Sequence, residues 1–173
     1  MKILYLVRHA KSSWDDNSLD DKDRPLKKGG VKDAYSMSAF LKENSILPDY
    51  LISSPAVRAL STAVIFAGQM GYPEGKIKID MDLYESTSSD ILNIIKKTDN
   101  TLNTLMIFGH EPSLTGLFMV LTGQKLIKIP TSAVVSISFD TNQWDKIIPD
   151  AGTLQFLYKP KEIKSMLNND LES

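Results

Sequence analysis

Cysteine is absent from the 173-residue chain, which removes disulfides, thiolate metal sites and thiol nucleophiles together. Histidine and arginine are nearly absent. His9 and His110 are the two histidines, and Arg8, Arg24 and Arg58 are the three arginines among twenty cationic residues, the rest being lysine. No apolar run reaches membrane-spanning length, and Ile3–Val7 is too short for the core of a signal peptide, so a cytoplasmic protein with no membrane partner is expected. A net charge of -1 gives no global attraction to nucleic acid, and none is expected as a partner. Any anion must be held by a focused pocket.

With 42% apolar residues the chain can bury a full core. Residues 1–160 read as a single domain, followed by a C-terminal tail over 161–173 that is helical or frayed. There is no internal repeat, low-complexity stretch or linker. The continuous apolar run Ile3–Val7 predicts a buried parallel strand ending at Arg8. A long loop over 11–25 follows, acidic with Asp15, Asp16, Asp20, Asp21 and Asp23, and read as solvated surface, a cover for the pocket or a surface for a basic partner. Trp14 in it fits equally a core anchor or the mouth of a pocket.

Apolar periodicity predicts a helix over 27–43 and a short strand over 50–53. Ser54–Pro55 then has the form of a helix start, with a hydroxyl N-cap followed by proline, opening a helix to about Met70 that Gly71 ends. Ser54 on this reading acts on Arg58 indirectly. Further strands are expected over 76–80, 104–108, 133–139 and 153–157, with helices over 89–97 and 112–121, the last ended by Gly123. Alternating strands and helices define an α/β protein, a three-layer sandwich with a mostly parallel central sheet. Ligands in such sheets bind beyond the carboxyl ends of the strands, where Arg8-His9, the turn leading to Arg58, and Gly109-His110 all fall.

Both histidines and at least two arginines at one sheet edge suit phosphoryl transfer through a covalent histidine intermediate. A neutral imidazole is a competent nucleophile near pH 7, and the phosphohistidine it forms is open to hydrolysis. His9 fits the nucleophile, while Arg8, Arg58 and His110 fit a cradle for the phosphoryl oxygens. Helix N-termini near Pro55 and Pro112 add partial positive charge. This chemistry needs no cofactor and no metal, and neither the loop aspartates nor the histidines have metal-site spacing.

The segments LVRHAKS, DRPLKKGG, SSPAVRALSTA, FGHEPSL and PTSAVVSISFD, in this order from residue 1 to about 160, resemble the histidine phosphatase superfamily and, within it, the small SixA-like phosphohistidine phosphatases. The resemblance implies a phosphoglycerate mutase-like fold, phosphorylation of His9, and phosphoryl binding by Arg8, Arg58 and His110. It places Arg24 nearby in a supporting or substrate-binding role. The superfamily usually reads RHG, and Ala10 replaces that glycine here, one small residue for another. No large inserted cap region is present, which favours a small open-pocket member.

Substrate class turns on the leaving group, because an ester phosphatase needs a general acid whereas an imidazole leaves readily once protonated. Glu85, in the region where many superfamily members keep their acid, and Glu111 are the candidates. The expected partner is a phosphorylated protein carrying phosphohistidine, or a small phosphorylated substrate. Two other readings are a noncatalytic phosphate- or phosphoprotein-binding module and a mutase-type transferase; for the latter the sequence offers no arginines dedicated to a substrate carboxylate.

Overall fold

The computed structural model describes residues 1–171. Among these, six strands form one sheet. They are β1 (Lys2–Arg8), β2 (Tyr50–Ser53), β3 (Lys78–Ile79), β4 (Thr104–Gly109), β5 (Val134–Phe139) and β6 (Gly152–Tyr158). Their spatial order is β3-β2-β4-β1-β5-β6. β1 to β4 are mutually parallel, and β5 runs against both of its neighbours. The sheet is therefore mostly parallel, as expected.

The pleat sends successive side chains to opposite faces, and the apolar runs fill two cores. Leu4, Leu6, Leu105, Ile107, Val135 and Ile137 pack on one face with α3 (Ser88–Lys96) and α4 (Ser113–Thr122). Tyr5, Val7, Met106, Phe108 and Val134 pack on the other with α1 (Lys28–Glu43) and α2 (Val57–Met70). Burial on both faces explains why β1 and β4 carry unbroken apolar sequence. Gly71 and Gly123, at φ 71° and 67°, cap α2 and α4 in the left-handed conformation that glycine adopts without steric penalty.

Two expected boundaries shift. The strand over 76–80 shrinks to two exposed residues at the sheet edge. The helix expected from Ser54–Pro55 begins at Val57, and Ser54 does not cap it. A residue before proline is disfavoured in the helical region, and the Ser54 hydroxyl is engaged elsewhere. The tail forms α5 (Pro160–Leu171), anchored by buried Ile163 and by Lys164, whose Nζ donates to Asp33 Oδ1 at 2.6 Å. Residues 172–173 lie outside the described residues.

Candidate active site

β2, β4 and β1 lie side by side, so their carboxyl ends deliver three segments to one edge. Arg8 is paired in register with Gly109, and the His9 amide donates to the Gly109 carbonyl at 3.2 Å. The Ser54 amide donates to the Phe108 carbonyl at 3.0 Å. The first chain position after each of β1 and β4 is a histidine, and the register brings the two rings together with centroids 5.2 Å apart. A cavity of about 360 Å³ at this edge is lined by Arg8, His9, Arg24, Arg58, His110 and Glu111, with Lys11, Lys27 and Trp14 around it.

Each side chain has a defined anchor. His9 Nδ1 lies 2.8 Å from the Ala10 carbonyl oxygen. A carbonyl only accepts, so Nδ1 carries the proton and Nε2 keeps its lone pair. The Ala10 amide donates in turn to Thr62 Oγ1 at 3.0 Å, and that hydroxyl donates to the Arg58 carbonyl at 2.7 Å. One turn of α2 therefore holds the backbone beside His9 and presents Arg58. Ala10 itself is fully buried. Arg8 Nη1 donates to the Ile129 carbonyl at 2.9 Å. His110 Nε2 lies 2.8 Å from Ser54 Oγ. Arg8 Nε, Arg58 Nε and His110 Nδ1 are buried atoms with no hydrogen-bond partner among the described residues, and the two guanidinium nitrogens are donors suited to an anion.

Asp21 ties Arg24 and Arg58 together. Its Oδ2 accepts from Arg58 Nη2 at 3.0 Å and from the Tyr84 hydroxyl at 2.8 Å, its Oδ1 accepts from Arg24 Nε at 3.1 Å, and its backbone carbonyl accepts from Arg58 Nη1 at 2.6 Å. Arg24 also donates to Ser12 Oγ at 2.9 Å. Its guanidinium carbon stacks 3.5 Å from the centre of the Trp14 ring, which is 66% exposed. Trp14 is thus at the mouth of the cavity rather than in the core.

The electrostatics are those of a cationic, partly desolvated pocket. Burial, followed by the charges of Arg58, Arg8 and Arg24, pushes His9 down to about 4 against the support of the Ala10 carbonyl. Burial, then His9 and Arg58, pushes His110 down to about 3. Both rings are neutral near pH 7. Burial alone would raise the Asp21 carboxyl, but hydrogen bonds from Tyr84, Arg58 and Arg24 outweigh it and bring Asp21 down to about 2.

Of the residues singled out in the sequence, Arg8, His9, Arg24, Arg58, His110 and Glu111 share the cavity. Glu85 does not line it. That side chain faces a neighbouring depression with Asp82, Ser86 and Asn93, on a backbone at φ 53°. Glu111 accepts from both the amide and the hydroxyl of Thr115. Sequence reasoning missed Asp21, Thr62 and Tyr84. A spacing of three residues between Asp21 and Arg24 was the only available sign for the first. Among the described residues no group of three or more metal-ligating side chains is assembled, and no helix is long and apolar enough to cross a membrane.

Fold and site together define an α/β protein of the phosphoglycerate mutase-like type. Residues 4–98 match the model of the histidine phosphatase superfamily, branch 1, and the chain belongs to that family. An uncharacterized chloroplastic protein of Arabidopsis thaliana is 32% identical over 86% of this chain and 72% of its own length. The protein histidine phosphatase SixA, solved in complex with tungstate, superposes with a TM-score of 0.81 at 20% identity, covering 93% of this chain and 99% of its own. The alpha-ribazole phosphatase of Shigella flexneri superposes at 0.67 with 15% identity, covering 91% and 96% respectively. At these identities the structural likenesses establish the fold.

Proposed function

We propose that residues 1–160 form one phosphatase domain that works through a covalent phosphohistidine on His9. Nε2 of His9 attacks phosphorus, the N–P bond forms as the bond to the leaving group breaks, and the leaving group departs with the electron pair and takes up a proton. Water then attacks phosphorus, the N–P bond breaks, and inorganic phosphate and free His9 result. Arg8 and Arg58 balance the charge on the phosphoryl oxygens, His110 donates a hydrogen bond to them, and Arg24 beside Trp14 meets the rest of the substrate.

The observation that carries this reading is the anchoring of His9 Nδ1 by the Ala10 carbonyl, which leaves Nε2 as the lone-pair nitrogen in a pocket shared with three guanidiniums. The reading is tested by His9→Ala, expected to lower turnover of a generic phosphatase substrate by at least about a thousandfold. Brief reaction of wild type with labelled substrate should leave acid-labile phosphate on His9. Full turnover in His9→Ala would overturn the mechanism, and phosphate binding without any labelled protein would favour a noncatalytic binding module.

Protein phosphohistidine is the preferred substrate. The exposed Trp14 rim gives a bulky partner access, and Glu85 lines a different depression while Glu111 is bonded to Thr115. A leaving imidazole makes the smallest demand on a general acid. Small phosphomonoesters are the second reading, favoured by Glu111 lining the cavity.

A further inference from the structure

Ser54 is completely buried, and its hydroxyl is the partner of the His110 ring. The turn that carries it is fixed on both sides, by the Ser54 amide on the Phe108 carbonyl and by Ser53 Oγ donating to the Ser54 carbonyl at 2.9 Å. Two arrangements of hydrogen satisfy the 2.8 Å separation between Oγ and Nε2. If Nε2 carried the proton and donated, the hydroxyl proton would need a further acceptor. The other hydrogen-bond partner of Oγ among the described residues is the Ala56 amide at 3.3 Å, which is itself a donor. A buried O–H would then be left unpaired, a costly arrangement. If instead the hydroxyl donates to Nε2 and accepts from Ala56, the hydroxyl is satisfied, the ring proton of neutral His110 lies on Nδ1, and the one donor left open belongs to a residue that lines the cavity, where a bound anion can accept it.

We propose that Ser54 is a positioning residue that fixes His110 as the Nδ1–H tautomer, so that the ring presents a donor, and not a lone pair, to the oxygens of a bound phosphoryl group. Nδ1 is the ring nitrogen without a partner among the described residues. The two histidines thereby take opposite tasks from opposite anchors. His9 is held at Nδ1 and offers the lone pair of Nε2, whereas His110 is held at Nε2 and offers the proton of Nδ1. The depressed basicity of His110 is consistent with this, because a neutral ring has one proton and its position decides whether it attracts or repels an anion. The inference rests on the phosphatase reading only for the identity of that anion.

The test is long-range proton–nitrogen correlation NMR on the full chain labelled with nitrogen-15. With two histidines in the sequence, the spectrum of His9→Gln assigns His110 directly. In wild type at pH 7 the His110 pattern should show a protonated Nδ1 and an unprotonated Nε2. A protonated Nε2 in wild type overturns the proposal without any variant. In Ser54→Ala the proton should move wholly or partly to Nε2, and the affinity for tungstate, used as the anion probe, should fall roughly ten- to a hundredfold. Ser54→Thr, which keeps the hydroxyl, should retain the wild-type tautomer. A folded Ser54→Ala protein with the wild-type tautomer and tungstate affinity also overturns it. These readouts need no turnover, so a failure of the phosphatase reading, shown by full activity in His9→Ala, is seen separately.

Discussion

The carboxylate of Asp21 grips the guanidinium of Arg58 from a different part of the chain, Oδ2 lying 3.0 Å from Nη2 while the backbone carbonyl of the same residue accepts Nη1. An arginine fixed this way, in the phosphate-binding role proposed for Arg58, has terminal donors occupied on one side and is pre-aimed with the other. Asp21→Asn should loosen Arg58 and Arg24 together. We expect kcat/KM to fall about tenfold, through misplacement of binding groups, with the urea midpoint nearly unchanged because the Asp21 side chain is 46% exposed. Steady-state kinetics beside urea melts check this. A drop in stability matching the drop in activity would make Asp21 a purely structural residue.

Both histidines should resist protonation. In an NMR pH titration the two imidazole C–H signals should stay at their neutral positions from pH 8 to about 5, His9 titrating near 4 and His110 near 3. The sign for stability follows from linkage. An unfolded histidine takes up a proton near 6.5 while the folded rings do not, so stability falls as pH drops from about 6.5 toward the folded values. Asp21, depressed to about 2, adds a small loss at the acid end as pH falls below about 4, small because its half-exposed carboxylate is screened by solvent. His110→Gln should flatten the part of the stability profile between pH 6 and 4. Midpoints near 6.5 in the titration would contradict the desolvated pocket.

The two adjacent glycines at the start of α1 should behave in opposite ways. A methyl at Gly29 meets nothing within 4 Å, so Gly29→Ala should stabilise the helix by about 0.5–1 kcal/mol. A methyl at Gly30 would collide with the backbone of Lys11, two residues beyond His9. Gly30→Ala should cost about 1–3 kcal/mol and lower activity, because the displaced segment carries His9, the proposed nucleophile. Thermal melts of the two variants, run together, separate the cases.

Glu85 should be dispensable for a phosphoramidate substrate. It does not line the cavity of His9, and we expect Glu85→Gln to keep turnover of a phosphohistidine protein within about twofold of wild type. Assays on that substrate and on a panel of phosphoesters are the check. Ester hydrolysis that collapses in Glu85→Gln would shift the preferred substrate to small phosphoesters.

Much of this was legible in the residues because the informative ones are rare. Apolar runs at β1 and β4 could only be doubly buried strands, and the pairs Arg8-His9 and Gly109-His110 had to follow them at the same edge. Asp21 was not legible, since five aspartates in one loop look alike and only the folded chain brings one of them beside Arg58. Ser54 misled for a physical reason. A serine before proline has the form of a helix cap, yet here its hydroxyl serves a histidine fifty-six positions away, and the helix starts later without a side-chain cap. The β3 strand was overdrawn because Lys76–Asp80 alternates like an edge strand whereas only two residues pair.

The pairing of Arg8 with Gly109 has one more consequence. Sliding β1 by a single residue against β4 would turn its side chains to the wrong face and part the two imidazoles. No mispaired or half-assembled chain can then turn over substrate, and the recovery of activity during refolding becomes a clock for the moment at which the central strands lock.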